Sequence, residues 1–223
     1  MESENYEITG YAFLEEEAVA KHFADINILL LSGKHIDQKF YAQYVLLEQY
    51  EVQWQNFYNN LYKLNLVTDI SDGSRYFYLE FTEAGKGKLT DNRSIELTPL
   101  QTLIGLMLLD MYYMKYFDEE KTIPWDMIKT QILESDHQEA YKRILFNDIR
   151  DSYDEKEWNE VHSKFLKTID SFDRLGWVEK QSARNEELVF EIRPAIHRLA
   201  KLYHEELQNF DSFSRDLKKD DTL

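Results

Sequence analysis

The strongest constraint on the fold is an internal repeat, in which two segments match at a constant offset of 111 residues. Segments 57–67 and 168–178 both place apolar residues three or four apart, which is typical of a helix. The helical spacing then stops at Asn65 or at Gly176, two residue types that tolerate the left-handed conformation of a helix C-cap. A strand is predicted to begin directly afterwards. This agreement predicts a duplicated structural unit.

A β-hairpin is predicted after each of the two helices. Asp72-Gly73 is a strong hairpin turn signal, and it leads into segment 76–81, where apolar side chains alternate toward one face. At the same offset, segment 187–192 alternates in the same way and follows a polar turn at 182–186. The repeat therefore comprises a helix and a two-stranded wing.

Two further helical patterns precede each repeat. In the first half they cover residues 15–31 and the segment that Asp37 can cap. In the second half Thr98-Pro99 reads as a cap followed by proline at the first helical position, and Pro124 opens the next helix. Three helices followed by a hairpin is the element order of a winged-helix domain. We predict a mainly α fold with small β-hairpins, an α+β fold of two tandem winged-helix domains.

The predicted domains are residues 11–90 and residues 95–207, followed by a polar tail over 208–223. The polar stretch Thr90 to Ser94 separates the domains. A charged insert at about 135–155 is predicted between the second and third helices of the C-terminal domain.

Composition and charge limit the possible functions. The chain has no cysteine, which excludes disulfides, thiolate metal sites and cysteine nucleophiles. Its net charge of −16, from 42 acidic and 26 basic residues, argues against phosphate neutralisation as the main activity of the isolated chain. The acidic N-terminus and the short apolar runs predict a soluble, cytoplasmic protein that does not enter a membrane.

No arrangement of residues indicates catalysis. His197 and His204 lie seven residues apart, whereas zinc ligands on helices lie three or four apart. Segment 85–88, Gly-Lys-Gly-Lys, lacks the spacing of a nucleotide-binding loop. We therefore predict a protein that is not an enzyme and has no metal or other cofactor.

The third helix of the second half is a candidate DNA-binding element, because recognition helices occupy this place in many DNA-binding domains. The candidate phosphate contacts lie on this helix and the following wing: Lys156, Lys164, Lys167, Arg174, Lys180 and Arg184. Between Lys156 and Arg198 the chain has eight basic and eight acidic residues, so this segment is neutral within an acidic protein. An ordinary solvated helix face is the alternative interpretation.

Other surfaces favour protein partners. The polar face of segment 51–63 is nearly neutral, which suits a protein surface better than a phosphate backbone. Aromatic side chains are abundant in segments 41–50 and 112–117, and aromatic residues are enriched in binding interfaces. Packing in the core is the alternative role for these aromatic residues.

Four short motifs occur in a fixed order along the chain: Leu-Leu-Ser-Gly-Lys-His-Ile at 30–36, Tyr-Phe-Tyr-Leu at 76–79, Leu-Thr-Pro-Leu at 97–100 and Asp-Arg-Leu-Gly-Trp-Val at 173–178. Together they resemble the MukE/MksE family of bacterial condensin subunits. The resemblance extends over roughly residues 12–205, and the order and spacing of the motifs carry it.

The resemblance implies an accessory subunit that forms a homodimer and binds the kleisin, a MukF- or MksF-like protein, of a MukBEF- or MksBEF-type complex. In such a complex a separate MukB- or MksB-like SMC subunit hydrolyses ATP. The complex organises and segregates the chromosome at the nucleoid or acts against plasmids, and any DNA contact of this subunit is weak or depends on the complex. Two alternatives remain: a stand-alone winged-helix transcriptional regulator, and a ScpB-type kleisin partner, which lacks the charged insert.

Overall fold

The computed structural model of the protein describes residues 10–82, 97–181 and 188–204. The fold is mixed α+β and mostly helical, with small antiparallel sheets, which confirms the predicted fold class at this level. The predicted boundary at 90–94 and the polar tail at 208–223 lie outside the described residues.

The chain divides into two compact units, residues 1–95 and residues 96–223. In the first unit three helices precede one hairpin: α1 (Glu17–Leu31), α2 (Tyr41–Gln49), α3 (Glu51–Phe57), β1 (Leu64–Ser71) and β2 (Ser74–Phe81). Short 3-10 turns, Ala12–Glu15 and Gln38–Phe40, precede α1 and α2, and a wide π-helical turn, Tyr58–Tyr62, extends α3.

Glycine and polar turn residues end the elements of the first unit. Gly33 has φ 87° just after α1, and the hairpin turn places Asp72 at φ 48° and Gly73 at φ 76°, which confirms the predicted turn. The predicted cap at Asn65 is wrong. Lys63 takes the left-handed conformation with φ 58°, and Asn65 pairs with Glu80 inside the hairpin. The π-helical turn closes the helix two residues earlier than the apolar spacing indicates.

Aromatic side chains form much of the core of the first unit. The Trp54 ring is fully buried, stacks on the rings of Phe23 and Tyr58 at centroid distances of 5.9 Å, and meets the ring of Phe13 edge-on at 5.1 Å. The buried Tyr58 hydroxyl donates to Asn27 Oδ1 at 3.2 Å, which ties α1 to the end of the third helix. Burial raises the pKa of the Tyr58 phenol, so this side chain remains a neutral donor.

The second unit has a similar order with additional helices. Its elements are α4 (Pro99–Met114), β3 (Thr122–Pro124), α5 (Trp125–Glu134), α6 (Gln138–Phe146), α7 (Glu155–Leu175), β4 (Val178–Lys180), β5 (Val189–Ile192) and α8 (Arg198–Leu202), with a 3-10 turn at Pro194–His197 before α8. The charged insert predicted at about 135–155 therefore contains a helix, α6, which buries Ala140, Tyr141 and Leu145.

Helix α4 is the central helix of the second unit. The predicted cap is confirmed: Gln101 N–H donates to Thr98 Oγ1 at 3.2 Å, and Thr98 N–H donates to Gln101 Oε1 at 2.9 Å. Leu103, Ile104, Met107 and Leu108 on this helix are fully buried. Gly105 lets α8 approach closely, because a Cβ atom at this position would lie 2.6 Å from Leu199 Cδ1.

Each hairpin is joined by a short extended segment from between the first two helices of its unit. In the first unit Ile36 and Phe77 exchange two backbone hydrogen bonds of 2.9 Å. In the second unit β3 pairs with β5, placing Ile123 opposite Phe190, and the strand order is β3-β5-β4. Sequence periodicity does not reveal these pairings, because one to three residues are too few to show alternation.

Candidate nucleic-acid interface

Both ends of α7 are closed by local hydrogen bonds. At the N-terminus Glu157 N–H donates to Asp154 Oδ1 and Asp154 N–H donates to Glu157 Oε2, each at 2.9 Å. At the C-terminus Gly176 takes φ 74°, as predicted, and the N–H of Trp177 reaches the carbonyl of Phe172 at 2.9 Å. These caps fix both ends of the helix, which has 21 residues.

Helix α7 is strongly amphipathic. Its inner face buries Val161, Phe165, Ile169 and Phe172 completely. Three of the candidate phosphate contacts lie on the opposite face and are exposed: Lys156, Lys167 and Arg174. At 100° per residue they fall within about 20° of one line, and they span about 27 Å along the axis. We call these three residues the cationic stripe.

No ion pair joins the cationic stripe to another residue in the described part of the chain. The acids of the same helix are mostly engaged elsewhere. Glu157 pairs with Arg150, and Asp170 Oδ1 accepts from Lys180 Nζ at 2.5 Å. Within the described residues Glu160 is the acid that lies beside the stripe without an ion pair. The stripe therefore carries a local positive charge in a protein whose net charge is −16.

The structure gives two other candidates a structural role. The half-buried Lys164 donates from Nζ to the carbonyl of Leu145 at 2.9 Å, so it binds the C-terminal turn of α6, where cations are favoured. Lys180 is held by Asp170, and its backbone N–H donates to Asp173 Oδ1 at 3.1 Å. The sixth candidate, Arg184, lies outside the described residues.

The third helix of the first unit presents a different surface. Gln53, Asn56 and Asn60 supply uncharged polar groups, and the Val52 and Leu61 side chains are 64% and 58% exposed. The carboxylate of Glu51 turns toward the hairpin: Thr68 Oγ1 donates to it at 2.5 Å, and Arg75 lies 3.9 Å away. This surface is amide-rich and partly apolar, a composition suited to contact with protein.

The two aromatic segments divide between core and surface. In segment 41–50 Tyr44 is buried, whereas Tyr41 is exposed. In segment 112–117 Tyr112 is buried, and an exposed group follows it, formed by Tyr113, Met114, Tyr116 and Phe117. Only part of each predicted aromatic surface is thus available to a partner.

The described residues contain no group of three or more histidine, aspartate and glutamate side chains arranged to hold a metal ion. His197 lies in the 3-10 turn before α8, with its ring 4.5 Å from the ring of Tyr112 and its Nδ1 2.9 Å from the Pro194 carbonyl oxygen. In the described ranges no helix has the length and apolar character that crossing a membrane requires.

Comparison with known proteins identifies the family. A search of the curated proteins gives no match. Residues 21–204 match the family described as condensin complex protein MksE, so the match covers most of the chain and reaches into both units. The chain therefore belongs to the MksE family.

Proposed function

We propose that this protein is a non-catalytic accessory subunit of a bacterial SMC/condensin-type complex. It binds the kleisin, a MksF- or MukF-like protein, as a homodimer, and through the kleisin it joins a MksB- or MukB-like SMC ATPase. The family match over residues 21–204 carries this proposal. The complex acts in chromosome organisation and segregation or in defence against plasmids.

We infer that each unit contains a winged-helix domain, within residues 11–90 and 95–207. The support is topological: each unit has a helix, a short pairing segment, further helices and an antiparallel hairpin, in that order. In the second unit α6 is inserted between the second and third helices of this arrangement. The third helices, α3 and α7, then occupy the place of a recognition helix.

We propose further that the cationic stripe contacts DNA phosphates within the assembled complex. Three exposed cations along one helix face can neutralise several phosphates, and phosphate contacts position a protein without reading sequence. The overall acidity of the chain makes this contact weak in the isolated protein, because the remaining surface repels DNA. The complex provides the additional cations that hold DNA near the stripe.

The first experiment tests membership of the complex. The tagged protein is purified from its native cells, and the co-purifying proteins are identified by mass spectrometry. We expect a kleisin and a large SMC-type ATPase in amounts comparable with the bait. Recovery of the protein alone, or with DNA as its only partner, would overturn the proposal.

The second experiment tests the DNA contact with variants matched in charge. Lys156→Gln, Lys167→Gln and Arg174→Gln together remove three positive charges from α7. The control, Lys21→Gln, Lys39→Gln and Lys201→Gln, removes three positive charges at exposed positions on other elements. In the reconstituted complex the logarithm of the DNA association constant falls linearly with the logarithm of the salt concentration. The α7 variant is expected to make this slope less negative by up to about 3.

The control variant separates a local contact from a general charge effect. Both variants change the net charge equally, so similar losses of DNA affinity would contradict a specific role of the stripe. A stand-alone regulator is the second candidate function, favoured by the exposed cations of α7. It requires tight binding of the isolated protein to one duplex at physiological salt, and weak, sequence-independent binding would exclude it.

A further inference from the structure

A pocket of about 250 Å³ lies in the second unit between α4, the start of α6 and α8. Its apolar lining comes from Leu106 and Leu109 on α4 and from Ala200 on α8. Pockets for drug-sized ligands enclose about 300–1,000 Å³, so this volume is suited to a single side chain or a similarly small group. The pocket is separate from the cationic stripe and has no role in the proposed DNA contact.

Asp110 is the one carboxylate in the lining of the pocket, and the imidazole of His137 at the start of α6 also lies in the lining. Asp110 is the only charged residue of α4. Its Oδ2 accepts from Nε2 of the buried Gln131 at 2.7 Å, which fixes the carboxylate at the edge of the pocket. The buried Tyr141 also lines the pocket, and burial together with the charge of Asp110 raises the pKa of its phenol. Tyr141 therefore remains neutral beside the carboxylate.

The chemistry of this lining favours a cation on an apolar stem. Asp110 supplies a negative charge, and the rings of Tyr113 and Tyr141 lie in the lining with it. Aromatic faces attract guanidinium and ammonium groups, and a carboxylate strengthens that attraction. Leucine and alanine side chains pack against methylene groups. Arginine and lysine side chains combine both properties.

The pocket opens beside an exposed apolar patch, which indicates a peptide as the source of the cation. Tyr113 belongs to both, and the patch continues through Met114, Tyr116 and Phe117, whose side chain is 95% exposed. The exposed acids Glu119 and Glu120 follow Asp118, which comes directly after the patch in the chain. The nearby cations are engaged: Lys115 pairs with Asp118 at 2.7 Å, and Lys121 lies over the Tyr112 ring at 4.7 Å. The surface thus complements a segment that is both basic and apolar.

We propose that this face of the second unit binds a basic, apolar peptide segment of another protein, with one arginine or lysine side chain in the Asp110 pocket. The apolar neighbours of that side chain pack on the patch formed by Tyr113, Met114, Tyr116 and Phe117. The proposal does not depend on kleisin binding, because a defined peptide and the isolated protein suffice to test it.

The experiment uses two tripeptides and free arginine. Acetyl-Leu-Arg-Leu-amide is titrated into protein with labelled leucine methyl groups, and the methyl signals of Leu106 and Leu109 are followed by NMR. Acetyl-Leu-citrulline-Leu-amide has nearly the same shape without the charge. We expect saturable shifts in the millimolar range for the arginine peptide and roughly tenfold weaker binding of the citrulline peptide.

Variants connect the binding to the carboxylate. Asp110→Asn keeps an acceptor for Gln131 and is expected to reduce the affinity for the arginine peptide to that for the citrulline peptide. Asp126→Asn is the matched control, because Asp126 lies on α5 outside the pocket with its side chain 85% exposed. Tyr113→Ala is expected to lower the affinity for the arginine peptide several-fold. This variant tests the aromatic contribution independently of the charge.

Each other outcome contradicts a stated part of the proposal. Equal binding of the two peptides, or affinity unchanged by Asp110→Asn, would overturn the cation site. Absence of saturable shifts at millimolar peptide would overturn binding at this face altogether. Free arginine binding as tightly as the peptide would overturn the peptide segment as occupant and assign the pocket to a small-molecule cation.

Discussion

The third helices of the two units have the same place in the element order but different surfaces and lengths. In the first unit α3 has seven residues and continues through a π-helical turn, and its outer face carries amide groups and exposed Val52. In the second unit α7 has 21 residues and exposes the cationic stripe. A duplicated backbone arrangement therefore does not imply a duplicated function. The outward residues differ, because the core does not constrain them.

The buried residues of the two helices should matter most for stability, and equally in both units. Trp54→Ala in α3 and Phe165→Ala in α7 each remove a large, fully buried ring. We expect each to lower the free energy of unfolding by about 3–5 kcal/mol. Urea denaturation followed by circular dichroism measures the effect. Val52→Ala, at an exposed position of α3, should stay within about 0.5 kcal/mol of the unchanged protein. If Trp54→Ala or Phe165→Ala lowered the free energy of unfolding by no more than about 0.5 kcal/mol, that ring would not contribute to the core as proposed.

Substitutions at the two helix C-caps should change the free energy of unfolding in opposite directions, because glycine occupies one left-handed position and lysine occupies the other. Gly176→Ala places a Cβ atom at φ 74°, so we expect a loss of about 1–2 kcal/mol in the free energy of unfolding. Lys63→Gly relieves strain at φ 58°, and we expect a gain of about 0.5–1 kcal/mol. Thermal denaturation of both variants tests the comparison, and effects of the same sign would contradict it.

Two lysines three residues apart on α7 should separate a structural role from a surface role. Lys164→Met removes the donor to the Leu145 carbonyl, and we expect a loss of about 1 kcal/mol. Lys167→Met, at an exposed position, should change stability by less than about 0.5 kcal/mol. DNA affinity of the complex should follow the reverse order. If Lys167→Met leaves that affinity unchanged while Lys164→Met lowers it, the assignment of the stripe is wrong.

The smallest expected effect is a pH dependence of stability that comes from a histidine of α7. It has no counterpart in α3, which has no histidine. His162 packs against the Trp125 ring at 4.7 Å, and burial lowers the pKa of its imidazole. The unfolded chain therefore binds this proton more readily than the folded protein does. The contribution of neutral His162 is complete above the ordinary histidine pKa and is lost as the pH falls through and below it. His162→Gln should make the acid-side loss of stability shallower, which denaturant titrations between neutral and mildly acidic pH can measure. An unchanged profile would contradict this role.

Local signals in the sequence predicted local structure well. The cap at Thr98, followed by Pro99, and the turn at Asp72-Gly73 follow from side-chain chemistry within a few residues, and both are confirmed. The structure adds Gln101 as the partner of Thr98 in the cap. The sequence predicts a charged insert at about 135–155 rather than helix α6, because acidic and basic residues occur throughout this segment. The helix itself buries only a few side chains, such as Tyr141 and Leu145. The short pairing of Ile36 with Phe77 depends on contact between distant parts of the chain, which periodicity does not encode.

Helical spacing predicts which candidate residues of α7 face outward, but not which of them contact other elements. Spacing alone places Lys156, Lys167 and Arg174 on one outward face, and the structure leaves them exposed. The inward turn of Lys164 depends on the carbonyl of Leu145 in the last turn of α6, which lies 19 residues away in the chain. The ion pair between Lys180 and Asp170 likewise requires the strand to fold back along the helix. Which lysines are engaged within the protein is thus a property of tertiary packing.

The pairing of each hairpin with the segment after the first helix also affects how the units fold. Ile36 and Phe77 lie 41 residues apart in the chain, whereas Ile123 and Phe190 lie 67 residues apart. Closing the longer loop costs about 0.4 kcal/mol more in chain entropy, and slower folding accompanies more distant contacts. In both units the hairpin can form before this closure, since its two strands are close neighbours in the sequence. The second unit is therefore expected to be the later of the two to complete its sheet as the chain folds.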